Sequence, residues 1–175
     1  MSIHSEHPFL PPPRDRNAVR RLRGRLASPV TVWASGTDRS RAGLTVSSVL
    51  VADGDPAELV ALIDPDSDFG GRVRQTRTAA VSVLGADHRG VADVMAGQAP
   101  SPGGTFRTGT WTDSEWGPVL DGATAWAGVR LGSGEPVRVG WSLLLRARIE
   151  QVTVADDDPA VLAYLRGRYR VVGAS

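Results

Sequence analysis

The chain has 175 residues, a formal net charge of +1 and 41% hydrophobic residues, enough for one domain with a sizeable core. It contains no cysteine, and all 20 basic residues are arginine. That excludes disulfides, thiolate nucleophiles, cysteine-ligated metals, Schiff-base chemistry and a P-loop lysine. The balanced charge provides no global field for nucleic acid, and no apolar run approaches the ~20 residues that cross a bilayer. Without the basic-then-apolar order of a secretory signal at the N-terminus, the expected location is the cytoplasm, with no nucleic-acid or membrane partner.

In chain order, residues 1–16, which include Pro11-Pro12-Pro13, read as a flexible arm, and residues 17–175 as one domain. The stretch "RDRNAVRRLRGRL" predicts a helix over about Asn17 to Leu26, with Val19, Leu22 and Leu26 on one face and arginines on the others. Such a face is either solvated or an anion contact. "PVTVWAS" alternates as a strand, with Val30, Val32 and Ala34 opposite Thr31, Trp33 and Ser35. "GTDRS" turns the chain into a second strand of a hairpin, "RAGLTVSSVLVA". After "DGDP", the nearly all-apolar "AELVALI" predicts a central strand.

"DPDSDFGG" is a polar loop in which Asp68 is placed to cap a short helix through Gln75. "TAAVSVLG" predicts a buried strand, and Asp87 a cap for the helix "HRGVADVMAG", ending at Gly97. "QAPSPGG" reads as a flexible loop. Further strands are predicted in "TFRTGTWT", "GPVLDGATAWAGVRL" and "PVRVGWSLLLRARIEQVTVA", the last bending or bulging near Gly140. "DDDPAVLAYLRG" predicts a capped helix and "RYRVV" a closing strand. Six or seven strands with short turns favour antiparallel pairing and a closed or nearly closed sheet. There is no regular βαβ alternation and no GxGxxG between a strand and a helix, which argues against a dinucleotide-binding Rossmann fold.

Hydrolytic constellations are missing. Of three histidines, His4 and His7 fall in the arm, and no GxSxG elbow accompanies His88. No metal-ligand spacing is present, so no metal is expected. No catalytic proton donor or acceptor is assigned. The short side chains of Thr45-Val46-Ser47-Ser48 stand out in a strand bound for an apolar core. They are either surface positions or contacts to a polar ligand that carries its own chemistry, with hydroxyls and amides cradling a ring or phosphate.

The ordered set "VRRLRGRLASPVTVWAS", "AGLTVSSVLVADGDP", "ELVALIDPDSDFGGRVRQTRTAAVSVLGADHRGVADVMAG", "WGPVLDGATAWAGVRL" and "LAYLRGRYR" resembles the flavin reductase family of FMN-binding split-barrel proteins over about residues 18–172. The resemblance implies a mainly β fold with flanking helices, an antiparallel split β-barrel, assembled as a homodimer. It implies a cofactor, FMN or FAD, against Thr45, Val46, Ser47 and Ser48. Ile63, Asp64 and Ser67 would hold its tail, and His88 and Arg89 would approach it. It also implies NADH or NADPH as electron donor, hydride transfer to the flavin, and a partner monooxygenase of a two-component system. Tyr164 and Tyr169 would border the nicotinamide slot or pack the barrel end.

Four departures from the family pattern bear on this reading. Many members carry Gly-Asp-His where this chain reads Trp141, a side chain that would stack on flavin or fill core. Asp55-Pro56 replaces Pro-Pro, and Pro29 a glycine. The loop "IDPDSD" places carboxylates where a phosphate would sit unless they point away or Arg72 and Arg74 compensate. The alternative functions are a flavin- or deazaflavin-binding module, or a degenerate dimeric scaffold, without nicotinamide-dependent activity.

Overall fold

The computed structural model describes residues 18–173; the predicted arm, with His4 and His7, lies outside them. In chain order the elements are α1 (Ala18–Arg23), β1 (Ser28–Pro29), β2 (Thr31–Ser35), β3 (Ala42–Val46), β4 (Val49–Ala52), β5 (Glu58–Ile63), α2 (Asp68–Thr76), β6 (Thr78–Val83), α3 (Arg89–Met95), β7 (Trp111–Asp113), β8 (Pro118–Leu120), β9 (Ala125–Leu131), β10 (Val137–Val139), β11 (Ser142–Val154), β12 (Val161–Leu165) and β13 (Arg168–Val172). The fold is mainly antiparallel β with short flanking helices, as expected. The strands are shorter and more numerous than predicted.

The main sheet runs β3-β2-β6-β9-β11-β5-β4, with β10 paired to β11. Its two ends, β3 and β4, are consecutive in the chain and separated only by Ser47 and Ser48. The sheet therefore curls so that its open seam lies at the stretch of short side chains. β3 also approaches β5 across the seam without joining a ladder. Small side chains suit this place, because two strand ends and the start of β4 must pass close together.

β2 alternates chemically, yet all five of its residues are buried. Apolar clusters cover both faces. Trp33 belongs to a cluster with Leu59, Ile63, Phe69, Val73 and Leu145. Val30 and Val32 join Leu84, Val91, Met95, Leu120 and Leu162. Full burial of each such side chain contributes roughly 1.5–3 kcal/mol. The buried hydroxyls of β2 are satisfied locally. Thr31 Oγ1 donates to Val46 O at 2.6 Å, and Ser35 Oγ lies 2.6 Å from Thr76 Oγ1 and donates to Thr78 O.

β5 lies between β4 and β11, paired on both sides but next to the edge strand rather than central as predicted, with Leu59, Ala61 and Ile63 buried. β11 spans the barrel, pairing first with β5 over Leu143–Arg148 and then with β9 through Val154. Its register slips between Ile149 and Gln151. The irregularity expected at Gly140 is instead a two-residue turn, Gly140-Trp141, between Val139 and Ser142. Gly140 has φ of +58° there, which glycine tolerates without strain.

Several expectations need correction. α2 is capped by Ser67, whose Oγ accepts the Gly70 amide; Asp68 occupies the first turn. Asp87 caps nothing, because a 3₁₀ turn over Ala86–His88 precedes α3. "TFRTGTWT" contains a 3₁₀ turn over Thr105–Arg107 and only the start of β7. "DDDPAVLAYLRG" is not helical: its apolar residues form β12, which pairs with both β13 and β1 in a separate three-stranded sheet. Trp141 is 85% exposed at its hairpin turn, so it does not fill core. α1 buries none of its residues, and its predicted apolar side chains Val19 and Leu22 are exposed, as is Leu26 beyond it.

Candidate functional site

The seam divides the hydroxyls of the stretch Thr45–Ser48 by role. Thr45 Oγ1 donates to Ala92 O at 2.8 Å and so ties β3 to α3. Val46 is buried, and its carbonyl accepts Thr31. Ser47 and Ser48 lie between the two strands and are half-buried, and among the described residues neither hydroxyl has a hydrogen-bond partner. Half-burial with no internal partner leaves two short donor-acceptors available to a ligand.

β5 delivers the next group. The Leu62 amide donates to Ser48 O at 3.0 Å, which holds the end of β5 beside the seam. Ile63 is buried there within the first core cluster, so its side chain anchors the end of β5 and presents no surface to a ligand. Asp64 folds back on its own loop, its Oδ1 accepting the Asp66 amide at 2.9 Å and its carbonyl accepting Ser67 Oγ at 2.7 Å. Two of the loop's acceptors are thus spent internally. Beyond Ser67 a groove of roughly 510 Å³ runs between α2 and the β2–β3 turn. Arg39, Arg41, Arg72 and Arg74 line it together with Asp66 and Asp68. The carboxylates that would repel a phosphate are therefore outnumbered by guanidinium groups.

His88 and Arg89 occupy the entry to α3. The Gly85 amide donates to His88 Nδ1 at 3.1 Å, and the Asp121 carbonyl faces the same ring. Nδ1 must be unprotonated to accept, which fixes the Nε2–H tautomer. Burial holds the His88 imidazole below its usual pKa, against the opposing effects of the Asp87 carboxylate and the Asp121 carbonyl. His88 is thus neutral near pH 7, and its ring nitrogens serve the local backbone.

Arg89 is exposed, reaches Asp93 at 3.9 Å and places its guanidinium 5.7 Å from the Tyr169 ring centre. Tyr169 meets Tyr164 edge to face at 5.3 Å, and its hydroxyl lies near the Asp93 carboxylate. Burial and the Asp93 carboxylate push the Tyr169 phenol up to about 12. The two tyrosines therefore pack the end of the second core, and their half-exposed edges lie beside Arg89. Trp141 follows a different element. The last register pair of β5 and β11 is Ile63 with Leu143, so the turn bearing Trp141 projects at the end of the sheet where the Asp64 loop departs.

The structure thus gathers Ser47, Ser48 and Ile63 at the seam, with Asp64 and Ser67 continuing along the loop. His88, Arg89, Tyr164 and Tyr169 form a neighbouring cluster around α3, which Thr45 links to the seam. Arg39 and Arg41 were not foreseen as site residues. Nothing local marks them, because only the pairing of β2 with β3 and the packing of α2 on both bring that turn against Arg72.

A family model described as a flavin reductase like domain matches residues 23–173. The chain belongs to the flavin reductase like family. The match spans the seam, the arginine groove and the α3 cluster alike. A curated relative, "FMN reductase (NADH) RutF" of Serratia proteamaculans (strain 568), is 25% identical over 169 residues, covering 96% of this chain and 94% of its own. Among solved structures, BorF, the flavin reductase component of a bacterial two-component tryptophan halogenase, is 26% identical with a TM-score of 0.76, covering 90% of this chain and 99% of its own. The NADH:FAD oxidoreductase SgcE6 of Streptomyces globisporus C-1027 shares the fold at a TM-score of 0.80 and 23% identity, over 93% of this chain and 96% of its own.

The donor set fits a flavin. Two unpartnered hydroxyls at a gap in the sheet match a polar ring edge, and the groove beyond Ser67 matches an anionic tail.

Proposed function

We infer that this member of the flavin reductase like family is an NAD(P)H-dependent flavin oxidoreductase. The observation that carries the reading is the pair of free hydroxyls, Ser47 and Ser48, at the seam of a fold whose family match covers that entire region. A bound flavin would supply the hydride-accepting ring. The protein's part is to bind and orient. Ser47 and Ser48 face the polar edge of the ring and fix its rotation, and the loop from Asp64 to Ser67 leads the tail out to the groove. Neutral His88 holds the loop before α3 in place through Gly85 and Asp121. The exposed edges of Tyr164 and Tyr169 and the Arg89 guanidinium border the approach of the nicotinamide donor.

Names of relatives support the chemistry: one is an NADH-dependent FMN reductase, and BorF is the reductase component of a two-component halogenase. This chain accordingly supplies reduced flavin to a separate oxygenase. Leu50 and Val51 on β4 and Trp141 at the β10–β11 turn are exposed close to the seam. Covering them with a second copy would complete the wall of the site, and a homodimer is the assembly this reading requires. No described helix is long and apolar enough to cross a membrane, and the cytoplasmic NAD(P)H pool is the electron source this reading uses.

The test is NADH oxidation followed at 340 nm with purified full-length chain and added FMN or FAD. Oxidation that depends on flavin and saturates with it is expected. Flavin binding without NADH oxidation, even with NADPH substituted, would overturn the reductase reading and leave a flavin-holding module.

A further inference from the structure

We propose that the groove between α2 and the β2–β3 turn holds the adenylate half of FAD, and so makes FAD rather than FMN the preferred flavin. This deepens the flavin reading of the seam and rests on it. The groove begins at Ser67, where the flavin tail would leave the seam, and continues to Gln75 along α2. Eight helical residues rise about 12 Å. One phosphate at Ser67 occupies only the near end of such a channel, whereas a second phosphate and a nucleoside would extend along it.

Positive charge gathers along this groove. Arg39 and Arg41 come from the turn, and Arg72 reaches the same turn: its Cδ lies 3.2 Å from where a Cβ on Gly36 would stand. The lining holds four guanidinium groups against the carboxylates of Asp66 and Asp68, more N–H donors than a single phosphate engages and enough for the two adjacent phosphates of a diphosphate. Donors remain to be used. Arg72 gives Nη1 to Gln75, Arg74 gives Nε to Gly70 O, and Arg41 gives Nη2 to the Asp113 carboxylate. Each guanidinium has five N–H groups, and Arg41 Nε is buried with no hydrogen-bond partner. Arg39 makes no ion pair among the described residues and is exposed on the groove wall. Planar guanidinium forks aligned along a channel suit adjacent phosphates better than one.

The experiment is calorimetric titration of the full chain with FAD and with FMN, for the wild type and for Arg39→Gln and Arg72→Gln. Wild type should bind FAD more tightly than FMN. Each substitution should raise the Kd for FAD by about tenfold, as for one lost charge-assisted contact, and leave the Kd for FMN within about twofold. Arg39→Gln alters an exposed turn residue and keeps the test valid if Arg72→Gln fails to fold. Equal weakening of both flavins would mean that the arginines serve the phosphate common to them, which overturns the proposal and leaves the flavin reading standing. An unchanged FAD-to-FMN ratio with a raised KM for NADH would assign the groove to the nicotinamide dinucleotide and also overturn it. A wild type that binds neither flavin would remove the flavin reading itself, and this inference with it.

Discussion

Thr45 donates its hydroxyl to the carbonyl of Ala92 across 2.8 Å, and that carbonyl also accepts the Ala96 amide within α3. One side chain thus couples the edge strand at the seam to the helix that carries Arg89 and Asp93. Thr45→Val preserves shape and removes the donor, while Ala92 O retains Ala96. The expected cost is about 1 kcal/mol, a drop of roughly 2–4 °C in Tm, measurable by thermal denaturation. An unchanged Tm would show that β3 and α3 are held by packing alone.

Ser48 presents the opposite case, a hydroxyl with no internal partner. Ser48→Ala should leave Tm unchanged and weaken flavin binding by about tenfold, as expected for one lost hydrogen bond of ~1–1.5 kcal/mol. Titration of the variant with FMN and FAD is the check. Affinity equal to that of the wild type would remove Ser48 from the site.

Trp116 lies against the backbone of Gly128. A Cβ built on Gly128 would stand 2.2 Å from Trp116 Cδ2. The same indole donates Nε1 to Glu150 Oε2 at 2.8 Å, and Glu150 sits within the β11 irregularity with Arg130 on its other oxygen. In Gly128→Ala the ring must swing away and release Glu150. A loss of roughly 2 kcal/mol is expected from that charge-assisted bond, a fall of roughly 4–8 °C in Tm, with altered tryptophan fluorescence. Wild-type fluorescence and stability together would contradict this packing.

His88 gives the pH dependence a sign. Its pKa is lowered by burial, so the unfolded chain takes up a proton at higher pH than the folded one. The corresponding stability is fully present above the unfolded value of about 6.5. It declines as pH falls from there through the lowered native value, and protonated Nδ1 can no longer accept the Gly85 amide. Tm should therefore fall on acidification over that window, and His88→Gln should flatten the dependence. An imidazole resonance, lost in His88→Gln, that titrates above 6.5 would reverse the sign and refute the assignment.

The sequence made the β2–β3 hairpin, the strand β5 and the buried β6 legible, because local alternation and turn residues agree with the final pairing there. It misled where long-range pairing overrode local chemistry. Pro159 after three aspartates has the form of a helix start, yet Val161–Leu165 finds strands on both sides and extends. Asp68 and Ser67 both qualify as caps, and only the backbone entering α2 selects Ser67. Trp141 belongs to an apolar-looking run, but a two-residue turn places it outside. Among the site residues, Ser47 and Ser48 could be recognised from their unusual place in a strand. That Thr45's hydroxyl was already committed, and that Arg39 faces Arg72, depends on packing between elements far apart in sequence.

The open line in the curled sheet has a mechanical consequence. β3 and β4 form the banks of that line and Ser47-Ser48 joins them, so a molecule gripped there would act as a missing stave and brace the cylinder from inside its own gap. Affinity and rigidity would then rise and fall together in this protein, and any change that loosens the stave's grip would also leave the hoop slacker.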